Sequence, residues 1–199
     1  MDVKERIFKG YRDLAFSVGF HAATVDDLSA ATGISKRTIY RYYRSKEELI
    51  SAVIDELLSN AEKGYNKALS VPGTPVEKIT SLIVSISKFL KTINPLIIRD
   101  LQKYYPHMWE RIEKFRAGKA LGIINILSDG NSSGYFRETI PQVFTTALLS
   151  SIRDVLNPGF LVENNLTPDQ AAVCLFNIFL FGIVSGKADI TDGSKGESI

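Results

Sequence analysis

The sequence predicts an all-α protein of about nine helices: a small N-terminal helix-turn-helix domain followed by a larger helical domain. Three observations predict it. Apolar residues recur at three- and four-residue spacing along most of the chain, with no alternating pattern of the kind a half-buried strand shows. Prolines and glycines punctuate that pattern at intervals that suit ordinary helices. Residues 24–49, TVDDLSAATGISKRTIYRYYRSKEEL, hold three hydroxyl residues that can cap helix starts, Thr24, Ser35 and Ser45, about ten residues apart.

The first helix is expected over residues 3–18, with Val3, Ile7, Tyr11, Leu14, Ala15 and Val18 at helical spacing. Gly19 suits a left-handed C-terminal cap, after which Phe20 can fold back onto the helix. The second helix, residues 25–32, begins behind Thr24 with Asp27 three residues on, the capping-box spacing, and turns Val25 and Leu28 inward. Thr32-Gly33-Ile34 is a tight turn, and a third helix over residues 36–43 follows Ser35. Ser45 and Glu48 repeat the capping spacing for a fourth helix reaching Leu69, which residues 71–75 (VPGTP) break. Further helices are expected over 76–91, 95–104, 106–129, 141–156 and 168–186, with a loop at 130–134 and a polar tail from Lys187. Met108, Ile112, Phe115, Gly122 and Ile126 share one stripe of the 106–129 helix. The domain division is accordingly 1–48, 49–188 and a tail at 189–199.

Charge distribution says more than net charge. The formal balance is only +2, too small for a non-specific polyanion binder, yet residues 1–50 carry nine Lys/Arg against seven Asp/Glu while the remainder balances. Residues 33–46 hold Lys36, Arg37, Arg41, Arg44 and Lys46 with no acid, interleaved with Tyr40, Tyr42 and Tyr43. On a helix, Ile39 and Tyr43 then share the inner face. Lys36, Arg37, Tyr40 and Arg41 share the outer one, flanked by Thr38 and Tyr42. Arg37 and Arg41 suit a guanine edge, and Lys36, Tyr40 and Tyr42 suit phosphates or a thymine methyl. Arg44 has Glu47 and Glu48 for partners and is left out of this face.

The run GISKRTIYRYYRSKEEL, with its flanks at residues 7–20 and 49–58, resembles the DNA-binding signature of the TetR family of bacterial transcriptional regulators. The resemblance is close over the first quarter of the chain; beyond it, only length and helical pattern are similar. It implies a homodimeric regulator, a repressor, that binds a pseudo-palindromic operator and leaves it when a small molecule enters the C-terminal domain. It also implies that Thr24, Ser35 and Lys46, at helix starts, hold the DNA backbone beside the reading helix. Helix starts expose amide groups that attract phosphate. The family's pocket opening falls near residues 95–115, where aromatic residues stand beside Arg99, Asp100 and Lys103.

The expected effector is hydrophobic or amphipathic. Phe89, Tyr104, Met108, Ile112 and Phe144 are expected on the pocket wall, with Arg99 or Lys103 at its rim for an acidic group. Leu148, Ile152, Leu175, Phe179 and Ile183 are expected at a four-helix dimer contact. No cofactor and no metal are expected: Cys174 is the single cysteine, read as a small buried hydrophobe, and His21 and His107 are the only histidines. His107 reads as an exposed helix-start residue. Nucleophile-elbow, phosphate-loop, dinucleotide and zinc-protease motifs are absent, so no enzyme is expected. The most apolar run, residues 171–185, is shorter than the ~20 residues a spanning helix needs, and no signal-like segment follows Met1, so a cytoplasmic protein is expected. A regulator without a ligand, or a carrier with a vestigial helix-turn-helix, are the alternatives. The effector, the operator and the regulated genes are not legible.

Overall fold

The computed structural model describes residues 2–184 and contains eleven helices among them. Five short-range devices build the N-terminal part. Helix α1 (Val3–Val18) ends at Gly19, whose φ of +88° lets its N–H donate to the Ala15 carbonyl at 2.8 Å. Helix α2 (Val25–Thr32) starts with the reciprocal Thr24–Asp27 capping box and stops at Gly33, in the left-handed region (φ 67°, ψ 16°). Helix α3 (Lys36–Tyr42) is capped by Ser35, and α4 (Lys46–Leu69) by Ser45. The Glu48 carboxylate there accepts the Arg44 N–H at 2.6 Å instead of that of Ser45, so the expected box closes one residue early. Around Ile7, Tyr11, Phe20, Leu28, Ile39, Leu49, Ile50 and Ile54 these helices form a sealed core. Val18, expected inward, is exposed at the rim of α1.

That core is not confined to residues 1–48. Ile97 and Leu101 of α6 (Pro95–Tyr104), with Tyr105 and Met108 at the start of α7 (Pro106–Gly118), belong to it. The remaining helices are α5 (Pro75–Leu90), α8 (Ala120–Ser132), α9 (Pro141–Val155), α10 (Pro158–Glu163) and α11 (Pro168–Ile183). They enclose two further apolar clusters, one around Ile79, Leu127 and Phe136, the other around Leu148, Leu161 and Phe176. Antiparallel contact of α4 with the α5 that follows it is the largest helix pairing.

Two expectations about residues 106–134 fail. The single long helix is broken at Lys119: the Tyr65 hydroxyl of α4 donates to the Lys119 carbonyl at 3.0 Å, and the Lys119 N–H closes a tighter turn onto Arg116. Gly118, a poor helix former, precedes the break. The supposed stripe therefore divides, Met108 facing the N-terminal core and Ile126 the second cluster. Residues 130–132 continue α8 where a loop was expected; a Cβ on Gly130 would lie 2.0 Å from the Phe136 ring, so a glycine is what lets that ring close on the helix. Helix α10 was not foreseen, and the end of the 168–186 helix and the 189–199 tail fall partly or wholly outside the described residues. Among those described, no single helix is long and apolar enough to cross a membrane.

Candidate nucleic-acid interface and the helical-domain cavity

The outer face of α3 is set by what its inner face buries. Ile39 is fully buried and Tyr43 nearly so, which turns Lys36, Arg37, Tyr40 and Arg41 outward into solvent. Thr38 and Tyr42 are half-buried at its edge; the Arg41 guanidinium lies 5.4 Å from the Tyr42 ring centre, and Tyr42 leans on the core. The turn feeding α3 is fixed by side chains: the Ser29 hydroxyl donates to the Ile34 carbonyl at 2.8 Å, and Thr32 to that of Leu28 at 2.7 Å. Arg6 adds a bond to the Thr32 carbonyl at 3.0 Å, tying α1 to the end of α2. The Ser35 hydroxyl accepts the Thr38 N–H at 3.2 Å.

Not every expected contact residue is unengaged. Lys36 forms an exposed ion pair with Asp26 of α2. Thr24 holds Asp27, whose carboxyl lies below its usual range because it accepts hydrogen bonds from the Thr24 hydroxyl and N–H. Lys46 donates to the His21 carbonyl at 2.8 Å, and partial burial pushes its ammonium pKa down. Asp26 is a neighbour that sequence reasoning passed over.

The helices that follow α4 hold a cavity whose lining differs from the expected one. A cavity of about 190 Å³ lies between α4, α5, α9, α11 and the α7–α8 break. Phe89 and Phe144 stand on its wall, Phe144 meeting Phe179 edge-on at 5.2 Å. Ile112 lines instead a smaller adjoining cavity of about 70 Å³ beneath α6. Arg99, Lys103, Tyr104 and Met108 line neither. The reason is the orientation of α6, which turns its apolar side toward the N-terminal core. There the fully buried Asp100 accepts the His21 N–H at 2.8 Å and pairs with Arg99, and Tyr104 stacks on His21 at 3.8 Å. Lys103 lies over Tyr104, and Met108 is buried in the core. The cations on the larger cavity's wall are Arg116 and Lys119. Their place in an amphipathic stretch beside Phe115 gave no clue, because the clue is the helix break.

The expected dimer residues are also displaced. Leu148, Leu175 and Ile183 are buried within the chain, and Ile152 and Phe179 face the cavity. Exposed apolar residues on α9 and α11 are instead Val143, Val173, Ile178 and Phe181, and Cys174 is exposed with them. His107 is exposed, as expected, 4.0 Å from Glu47.

A capped helix-turn-helix with a basic, solvent-facing second helix, joined to a hollow helical domain, defines a DNA-binding transcriptional regulator. Residues 7–53 match the model of the bacterial regulatory proteins of the tetR family. Over 174 residues the chain is 25% identical to the HTH-type transcriptional regulator YvaF of Bacillus subtilis, covering 84% of this chain and 90% of that one. It is 24% identical to the HTH-type transcriptional repressor KstR2 of Mycolicibacterium smegmatis, covering 86% and 85%. A TetR/AcrR-family regulator from Thermobifida fusca shares the fold, with a TM-score of 0.67 at 21% identity over 92% of this chain and 98% of that one. Residues 7–53 thus carry the DNA-binding segment of the tetR-family regulators, and over most of its length the chain is similar to HTH-type transcriptional regulators.

Proposed function

We propose that the protein is a homodimeric, cytoplasmic repressor that grips a pseudo-palindromic operator and releases it when a small apolar or amphipathic molecule fills the larger cavity. Residues 1–48 would carry the DNA contact and residues 49–188 the sensing and dimer contacts. Arg37 and Arg41 would read base edges. Ser35, Lys36, Thr38, Tyr40 and Tyr42 would meet phosphates and methyl groups, and Thr24 and Lys46 would fix the flanking backbone. The reading assigns no catalytic residue and no cofactor.

The observation that supports this reading is that one helix reaches from the candidate DNA face to the cavity. Leu58, Ala61 and Tyr65 of α4 stand on the cavity wall, and α4 begins at Lys46, one turn from the end of α3. Leu58 lies twelve residues, about 18 Å, along the helix from Lys46. A ligand that changes the packing around Leu58 and Tyr65 therefore pivots the reading head. In a two-fold dimer the heads must sit roughly 34 Å apart to enter successive major grooves, so a few ångströms of tilt weakens binding without touching a contact residue. The apolar face of Val143, Val173, Ile178 and Phe181 is where the partner would sit.

The test is operator selection from random duplexes, then titration with the Arg37→Ala and Arg41→Ala variants. Each should lose about 1–3 kcal/mol and relax specificity at one operator position, while Lys46→Ala should weaken all sequences evenly. Unchanged selection and affinity in the double variant would remove α3 from the interface. A ligand that fills the cavity should weaken the operator complex about 5- to 150-fold; no effect would leave a regulator that acts without a small molecule.

A further inference from the structure

The larger cavity has a polarity that its apolar lining conceals. Among the described residues its wall carries two cations, Arg116 and Lys119, and no carboxylate. Both sit at the α7–α8 break. Lys119 projects over the aromatic rim, 5.1 Å from the Tyr65 ring centre and 4.8 Å from that of Phe115, both wall residues. Arg116 lies over Trp109 at 5.2 Å and borders the larger and the smaller cavity alike. Burial pushes the Arg116 pKa down from its ordinary value, yet a guanidinium is basic enough to stay charged at neutral pH. Leu148, Leu156, Phe176 and Phe179, also on the wall, pack together in a separate apolar cluster and bring no polar side chain.

The charges that balance these cations stand outside the wall. Arg116 binds Glu113 one turn back at 2.8 Å, and Lys119 binds Glu62 of α4. The second pairing matters most, because it adds to the Tyr65–Lys119 hydrogen bond in tying the helix break to α4. A carboxylate arriving from within the cavity would compete with Glu62 for the Lys119 ammonium.

We propose that the effector is an anionic amphiphile, a medium-length hydrocarbon chain ending in a carboxylate or similar acid, and that its acidic group is taken by Arg116 and Lys119 at the expense of the Lys119–Glu62 pair. The chain lies against Leu148, Leu156, Phe176 and Phe179. Losing Glu62 loosens α4 from the α7–α8 break, the change that a pivot of the reading head requires. The cavity's size agrees with such a ligand: an apolar void of about 150 Å³ accommodates benzene, and about 190 Å³ with an adjoining chamber suits a molecule somewhat larger. A cationic amphiphile is disfavoured by like charge, and a neutral one leaves both cations where they are.

The proposal rests on the small-molecule reading above, and the experiment separates the two. Decanoate, 1-decanol and decyltrimethylammonium share a chain and differ in head charge; each is titrated calorimetrically into the full-length protein below its micelle-forming concentration. Decanoate should bind about tenfold or more tighter than decanol, the strength of a charge-assisted hydrogen bond. The Arg116→Gln/Lys119→Gln variant should abolish that preference and leave decanol binding within about twofold. Should this variant fail to fold by thermal melt, Glu62→Gln keeps the test open: freeing Lys119 should tighten decanoate and not decanol. Equal binding of acid and alcohol, or a preference that survives removal of both cations, overturns the proposal and leaves a neutral-ligand regulator. Binding of none of the three overturns both.

Discussion

Asp100 should be the residue whose loss most weakens the junction between the helix-turn-helix and the rest of the chain. Its side chain is fully buried, accepts the His21 N–H at 2.8 Å and receives the Arg99 guanidinium at 3.1 Å. The two partners contribute unequally. The His21 bond is charge-assisted and crosses from α6 to the α1–α2 turn, so it is worth about 1.5–3 kcal/mol. Arg99 is more than half exposed, which limits that pair to at most about 1 kcal/mol. Asp100→Ala should therefore cost about 2–4 kcal/mol, and Asp100→Asn, which keeps an acceptor oxygen without the charge, about half as much. For a chain of this length each kcal/mol lowers Tm by about 2–4 °C, so the alanine variant should melt roughly 4–16 °C lower. Gly19→Ala should show the same junction from the other side. Its φ is +88°, and the new Cβ would sit 2.5 Å from the Asp100 carboxylate. Urea and thermal unfolding followed by circular dichroism give both values. An Asp100→Ala variant within about 0.5 kcal/mol of the wild type would show that the contact is incidental, since surface substitutions alone give that much.

Asp26→Asn should tighten operator binding about two- to fivefold at low salt, because it frees Lys36 from an exposed ion pair worth at most about 1 kcal/mol; fluorescence anisotropy would show it, and weaker binding would mean that Lys36 needs Asp26 for its position. Gly122→Ala should destabilise by about 1–3 kcal/mol, since its Cβ would meet the Tyr65 hydroxyl at 1.9 Å, and Tyr65→Phe should recover part of that loss in the double variant; additive losses would place the strain elsewhere. Phe181→Glu or Ile178→Glu should turn a dimer into a monomer by sedimentation at micromolar concentration without altering the fold, both side chains being more than half exposed in the single chain; an unchanged mass would move the interface to another face. Tyr11→Phe should leave stability unchanged or raise it by up to about 1 kcal/mol, because the buried Tyr11 hydroxyl has no hydrogen-bond partner among the described residues and burial already pushes its pKa up; a marked loss would reveal a bound water.

The beginnings and ends of α1 to α4 and of α6 were legible to within a residue because their signals are local. Thr24, Ser35 and Ser45 bond to amides three residues away, Gly33 supplies a left-handed turn, and Pro95 and Pro106 fix first turns, all without help from distant chain. Burial of Ile39 and Tyr43 followed from their spacing, and the outer face of α3 followed from theirs. The break at Lys119 needed Tyr65, fifty-four residues earlier, and the helical run through Gly130 needed the ring of Phe136.

Helix periodicity marks which residues seek burial; it does not say what covers them. Helix α6 could have turned its apolar face toward a ligand, but only the docked turn at His21 showed that this face belongs to the helix-turn-helix core. Helix α11 is apolar on almost every side, so no stripe distinguished the cavity wall at Phe176 and Phe179 from the exposed face at Ile178 and Phe181. Arg116 and Lys119 looked like ordinary surface charges for the same reason. The sequence by itself determined the capped helices and the basic outer face of α3, since those depend on neighbours a few bonds away. The tertiary structure alone decided where the cavity lies, which cations enter it and which apolar face stays open, because each is a property of packing between helices far apart in the chain.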